Sequence, residues 1–352
     1  MAARRRARPE VLDFTPKYNG DDEQEVKPKL WKAKQLNRSK RKQWLALNRI
    51  PRSGVTVLVG DEGIGKSLFW VWIVAAVTTG KPLSEFGIPA RDPQHVRLVL
   101  TEDDWSSEVR PRLIKAGADL DYVTVIACYK DGSGAPVFPR DMDLVYQAPV
   151  PALIVVDGWL DTLPATIDIQ RPQSAARALT PWRNAAIQLD AAVILVTHTN
   201  RTNAAKTRDK YGGTGELRKK ARMTLFAQRD AQKRLLVGPE KTNGASILAS
   251  AIFTIKSVKA REPTDDDDGT VPVLEYVEDS DQTASEHSEE KEPEAQWLFE
   301  FLNDGPKERT EVFDAAKAKG FKTYRIYEVA TKLKVDKERK DFGGPTIWSL
   351  PD

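Results

Sequence analysis

Eight residues, Gly60-Asp61-Glu62-Gly63-Ile64-Gly65-Lys66-Ser67, match the pattern G-x-x-x-x-G-K-[ST]. Each residue type in it has a chemical use. Glycines at 60, 63 and 65 let the backbone turn its N–H groups toward a pyrophosphate at a helix N-terminus. Lys66 can reach β- and γ-phosphate oxygens, and Ser67 can ligate Mg²⁺. The expected nucleotide-binding residues are Gly60, Asp61, Glu62, Gly63, Ile64, Gly65, Lys66, Ser67 and Leu68, with ATP and Mg²⁺ as cofactors. Such a site needs a second oxygen donor for the metal, and Asp157 ends the apolar run Ala152-Leu153-Ile154-Val155-Val156 ninety-one residues after Lys66. Ser67 and Asp157 are therefore the metal candidates.

The residue after Asp157 is Gly158, so a base that activates water must come from another strand end. Thr101-Glu102-Asp103-Asp104 closes the run Val96 to Leu100, and Glu102 is the candidate base. The competing reading of these acids is an N-cap cluster for the helix that starts near Ser106. A third run, Val193 to Val196, ends in Thr197-His198-Thr199-Asn200. His198 is the candidate group that senses the γ-phosphate, set against the plainer reading of a satisfied histidine at a strand end.

Positioning these groups requires strands whose ends meet. The motif follows the β-branched run Val55 to Val59 and precedes a helical run, Ser67 to Thr79. Apolar runs at Val96 to Leu100, Tyr122 to Ala127, Ala152 to Val156 and Ala192 to Thr197 then alternate with helical segments at Ser106 to Ala116 and within Gln173 to Leu189. Continuous apolar strands separated by helices predict an α/β fold with a mostly parallel sheet covered on both faces. Ligands of such sheets collect at the C-terminal strand ends. Beyond Thr197 the runs Leu217 to Ala227, Arg234 to Val237, Ser246 to Lys256 and Val271 to Val277 read as antiparallel additions at the sheet edge, with Asp265 to Asp268 at a hairpin tip.

The 352 residues, 40% of them hydrophobic, suffice for a sizeable core and a second small one. No apolar run approaches a membrane span, one cysteine excludes an internal disulfide, and the basic N-terminus lacks the apolar stretch of a secretory signal. These features lead to the expectation of a cytoplasmic protein away from membranes. Net charge is +3 but unevenly spread: residues 1–49 carry +8, 50–260 carry +6, 261–294 carry −12 and 295–352 carry +1. The expected divisions are a basic flexible arm at 1–43, an ATPase domain at 44–277, an acidic linker at 278–294 and a small domain at 295–352.

The P-loop, the Thr-Glu-Asp-Asp strand end, Leu-Ile-Val-Val-Asp and Val-Thr-His-Thr, in this order, resemble the RecA-like P-loop ATPases. The nearest pattern is that of the RepA-like and DnaB-like hexameric replicative helicases of phages and plasmids, over about residues 44 to 277. Lys66, Ser67, Glu102, Asp157 and His198 fall on that family's motif positions. The resemblance implies an arginine finger donated by a neighbouring subunit, for which Arg222 is the best match and Arg218 the reserve. It further implies a ring-shaped homo-oligomer, most often a hexamer, acting as an ATP-dependent DNA helicase or translocase in replication. Arg201, Lys206, Arg208 and Lys210, in the stretch after His198, would then face single-stranded DNA in the channel. The pattern departs from DnaB relatives in placing only a basic arm before the core. Two other readings stay open: an ATP-switched DNA-binding regulator or loader that does not unwind, and a RecA-type recombinase.

In the last segment, helical runs at Gln296 to Leu302, Thr310 to Lys319 and Thr323 to about Leu333 precede a hairpin pattern at Val335 to Leu350, and the whole resembles a winged helix. Lys322 and Arg325 would sit on its recognition helix, facing duplex DNA, with protein docking the competing reading because the segment's net charge is only +1.

Overall fold

The computed structural model describes residues 30–36, 41–169, 171–198, 217, 221–230, 232–243, 246–289, 293–339 and 344–351. They fall into two compact units, one running through Thr283 and one beginning at Ala284. Most of the arm at 1–43 lies outside the described residues; Leu30–Leu36 is exposed and holds a single 3-10 turn, Ala33–Gln35.

The larger unit opens with a short hairpin, β1 (Trp44–Ala46) and β2 (Ile50–Pro51), and continues β3 (Gly54–Gly60), α1 (Lys66–Thr79), β4 (Val96–Leu100), α2 (Arg110–Lys115), β5 (Val123–Ile126), α3 (Asp143–Tyr146), β6 (Leu153–Asp157), α4 (Pro172–Gln188), β7 (Ala192–His198), β8 (Met223–Arg229), β9 (Leu235–Thr242), β10 (Ala251–Lys259) and β11 (Thr270–Asp279). Among the described residues nine of these strands form one sheet in the order β11-β10-β9-β8-β3-β7-β6-β4-β5. From β8 to β5 every neighbouring pair is parallel, as the fold class requires. Strands β9, β10 and β11 pair antiparallel. The connection between β10 and β11 carries Asp265 to Asp268, as expected of the hairpin tip.

Strand alternation sorts the apolar side chains into two cores. Leu58, Leu98, Leu100, Leu153, Val155, Ile194 and Val196 pack with α1 and α2 on one face. Val55, Val99, Ile154, Val156, Val193 and Leu195 pack with α3 and α4 on the other. The central strands are buried along their whole length, so both faces must be apolar, which is why they read as continuous runs.

One expectation is corrected. Met223–Arg229 is not an antiparallel addition: it pairs parallel with β3, Thr56 opposite Met223 and Gly60 opposite Ala227. The run Met-Thr-Leu-Phe-Ala-Gln is buried without alternation, the mark of an interior strand rather than of an edge hairpin. The antiparallel additions begin one strand later.

The smaller unit contains α5 (Ala284–Glu289), α6 (Pro293–Asn303), β12 (Lys307–Glu308), α7 (Arg309–Ala318), α8 (Thr323–Lys332), β13 (Asp336–Arg339) and β14 (Thr346–Ser349). Its strands form an antiparallel sheet in the order β12-β14-β13. Leu298, Leu302, Val312, Ala316, Ile326, Val329 and Trp348 make its core. The segment read as a linker thus holds the end of β11 and the short helix α5.

Candidate functional site

Parallel register brings four strand ends to one edge of the large sheet. Gly60 on β3 lies opposite His198 on β7, and Leu100 on β4 opposite Asp157 on β6. A cleft of roughly 820 Å³ opens there, lined by Glu62, Gly63, Gly65, Lys66, Ser67, Leu68, Glu102, Asp103, Arg112, Asp157, His198, Arg229, Ile255 and Pro272. The motif residues thus converge as their spacing predicts.

The loop between β3 and α1 is shaped by glycine. Gly65 caps α1 in the left-handed region at φ 108°, a conformation that L side chains rarely adopt. The first turn of α1 therefore starts with its N–H groups free of a capping side chain, the arrangement that receives an anion. Lys66 is 5% exposed and its Nζ donates to Gly60 O at 3.0 Å and Asp61 O at 2.7 Å. Burial holds its pKa below the usual lysine range, against the opposing pull of Asp157, Glu102, Asp61 and Glu62.

Lys66 Nζ also lies 3.1 Å from His198 Nδ1, while His198 Nε2 lies 2.7 Å from Glu102 Oε1. An ammonium can only donate, so Nδ1 accepts and Nε2 carries its proton toward the carboxylate. The lysine, the histidine and the glutamate form one hydrogen-bonded chain across three strand ends.

The acidic cluster after β4 divides its labour. Glu102 turns to His198 and the cleft. Asp103 Oδ2 takes Arg112 Nη1 at 2.5 Å, and Arg112 Nη2 reaches Glu108 at 2.7 Å. Asp104 accepts the Ser107 N–H at 2.7 Å and caps the π-helical turn Trp105–Val109 that leads into α2. Capping, one reading of the cluster, falls to Asp104, while Glu102 is placed in the cleft.

Asp157 is 3% exposed, and burial pushes its carboxyl above the ordinary range; hydrogen bonds from Trp70 and Ser67 oppose that push. Ser67 Oγ donates to Oδ2 at 2.8 Å and Trp70 Nε1 donates to the same oxygen at 2.6 Å. A hydroxyl and a carboxylate oxygen this close, at the mouth of a phosphate-binding loop, are the hard donors that suit Mg²⁺, which draws its remaining ligands from phosphates and water. Among the described residues no cluster of three or more His, Cys, Asp or Glu rivals this position. Thr101 Oγ1 lies 3.1 Å from both Asp157 O and Gly158 O and ties the ends of β4 and β6 together. Gly158 has φ 75°, and a Cβ there would run into Thr101 Oγ1. A side chain at Gly158 is thus disfavoured, so the position beside Asp157 carries no acid, and Glu102 on the end of β4 is the carboxylate that faces the cleft with it.

A family model described as an AAA domain matches residues 21–204, just over half of the chain and all of the strand ends named above. The chain belongs to the AAA domain family. No curated protein matches it. The AAA domain is a P-loop ATPase domain, which implies nucleotide binding, usually with Mg²⁺. The match stops before β8, so β8 to β11 extend the AAA domain beyond the part the family model describes.

Other expected residues are placed less centrally. Arg222 is exposed and immediately precedes β8, so it stands at the opposite edge of the sheet from its own P-loop. Arg201, Lys206, Arg208, Lys210 and Arg218 lie outside the described residues. In the smaller unit Lys322 is exposed, as a surface role requires. Arg325 does not face outward as expected: its side chain is 13% exposed and pairs with Glu328 at 2.7 Å and Glu294 at 3.7 Å. Its position on the inner side of α8, next to buried Ile326, gives it the acids of α6 and α8 as partners.

Sequence reasoning missed Arg112 and Arg229 in the lining of the cleft, and Trp70 and Thr101, which bond to Asp157 from outside that lining. Trp70 had a signal: it follows Ser67 by three residues and so shares its helix face. Arg229, whose Nη2 donates to Gly63 O at 3.3 Å, ends a strand that had been assigned to the edge.

No helix among the described residues is long and apolar enough to cross a membrane.

Proposed function

We propose that the protein is a Mg²⁺-dependent ATPase that couples hydrolysis to movement along DNA, working as a ring of identical subunits in a replicative helicase or translocase. The observation that carries this reading is the Lys66–His198–Glu102 chain of hydrogen bonds. It joins the group that would hold the γ-phosphate, the group that would sense it and the base, so phosphate loss at one is felt by the others.

In this reading Glu102 orients and deprotonates the attacking water, and Lys66 leaves Gly60 O, Asp61 O and His198 to meet the phosphates. Mg²⁺, held by Ser67 and Asp157, would neutralise developing charge on the phosphate oxygens. His198, freed of Lys66, passes the state of the site into residues 199–216, where Arg201, Lys206, Arg208 and Lys210 would contact the DNA backbone in the channel. Arg222 cannot reach its own P-loop from the opposite sheet edge. A role as finger therefore requires a neighbouring copy, with Arg218 as the reserve. The order of elements from α6 onward, helix, strand, two helices and two strands, supports a winged helix whose Lys322 meets duplex DNA; Arg325 instead braces the unit.

The test is unwinding of a forked DNA duplex beside ATP hydrolysis, with and without single-stranded DNA. ATP-dependent strand separation that Lys66→Ala abolishes is the expected result. DNA-stimulated hydrolysis without separation would replace the motor with an ATP-switched regulator or loader. An extended filament on DNA in place of a closed particle would replace it with a recombinase.

A further inference from the structure

The indole of Trp70 is fully buried on α1, three residues after Ser67, and its N–H donates to the Oδ2 of Asp157 at 2.6 Å. Leaving a buried indole N–H without a partner costs free energy, and buried indoles usually find one. Trp159, Trp182 and Trp348 are equally buried here, and their indole nitrogens have no partner. Trp70 alone among these four aims its donor at a carboxylate of the cleft.

Geometry makes the pair directional. Ser67 and Trp70 share one face of α1 and converge on one oxygen of Asp157. Ser67 is a rotatable hydroxyl that must offer its oxygen to a metal, whereas the indole is locked by packing on all sides and has nowhere else to donate. The carboxylate is gripped from behind by a rigid donor and left to face the cleft.

We propose that Trp70 is the positioning residue for the metal carboxylate, setting the orientation of Asp157 toward Mg²⁺ without touching metal or nucleotide. This rests on the reading of the cleft as a Mg²⁺–nucleotide site. Outer partners of metal ligands typically contribute about 10–100-fold to metal affinity.

The experiment is a Mg²⁺ titration of the thermal stabilisation that ADP confers on the full chain, wild type against Trp70→Phe, which keeps most of the ring volume and removes the donor. The expected result is a Mg²⁺ midpoint raised about 10–100-fold in Trp70→Phe, with stabilisation by ADP in excess EDTA unchanged. An unshifted midpoint in a folded variant would overturn the role and leave Trp70 as core filling. Loss of any Mg²⁺ dependence in the wild type would instead overturn the reading of the cleft. Should Trp70→Phe not fold, indole N–H resonances of the ¹⁵N-tryptophan protein decide: one of the nine must shift both on adding Mg²⁺ with ADP and in Asp157→Asn. No resonance responding to both overturns the proposal.

Discussion

The cleft of the larger unit and the surface of the smaller one use charge in opposite ways. In the cleft Lys66 and Asp157 are nearly inaccessible to water, and each is held by several partners within about one strand spacing. In the smaller unit Lys322 stands in solvent at the start of α8, and Arg325, which is partly buried, is paired with Glu294 and Glu328. Buried charges interact strongly and tolerate few arrangements, so their positions report chemistry. Exposed charges are screened and cheap to move, so their positions report little beyond solubility or a loose contact.

The contrast can be tested by substitution, starting where the largest effect is expected. Glu102→Gln should lower ATP turnover about 10²–10⁴-fold, the usual worth of a general base, while nucleotide still binds. Measured turnover close to wild type would move the base to Asp103 and break the assignment of roles within the cluster. His198→Ala, which leaves Lys66 and Glu102 in place but unlinked, should cost less, on the order of tenfold.

Asp157→Asn separates activity from stability. It should abolish Mg²⁺-dependent turnover yet make the apo protein more stable at neutral pH. Burial raises the Asp157 carboxyl above its unfolded value. The folded chain therefore holds that proton where the unfolded chain has lost it. Stability from this group is present below the ordinary carboxylate range, falls as pH rises through the raised folded value, and stays lost above it. The melting temperature of Asp157→Asn should exceed that of wild type at neutral pH, by about 2–4 °C per kcal/mol relieved, and the gap should close in acid. A gap that widens on acidification would contradict the burial of a charged group here.

The smallest effects belong to the smaller unit. Arg325→Ala should destabilise that unit by about 1–2 kcal/mol, because it strands Glu294, which is only 17% exposed. Lys322→Ala should stay within about 0.5 kcal/mol and show itself only as weaker, more salt-sensitive DNA binding. Denaturant melts of the two variants sharpen the comparison: equal stabilities would mean that Arg325 is as free as Lys322.

Local patterns carried most of what could be read before the fold was known. The P-loop needs its glycines and lysine within eight residues, and the strands β3, β4, β6 and β7 announce themselves as unbroken apolar runs because both of their faces are covered. Glu102, Asp157 and His198 could be chosen because each ends such a run, and parallel strands deliver their ends to one edge. Helices α6, α7 and α8 of the smaller unit followed from period alone, whereas α5 falls in the polar segment that reads as a linker. The parallel pairing of β8 was misread because the strand comes after a long polar stretch, and nothing local distinguishes a crossover from a return.

By itself the sequence determined the α/β class, the phosphate loop and the residues that could serve a metal, a base and a sensor, since each depends on neighbours a few positions apart or on burial of a continuous run. Only the tertiary structure decided how those residues engage one another: His198 between Lys66 and Glu102, Asp103 claimed by Arg112, Trp70 behind Asp157, Arg325 turned inward and Arg222 at the far edge of the sheet. The physical reason is range. A hydrogen bond acts over about 3 Å in space, and which residues come that close across separate strands is set by register and packing, which no local stretch of chain encodes.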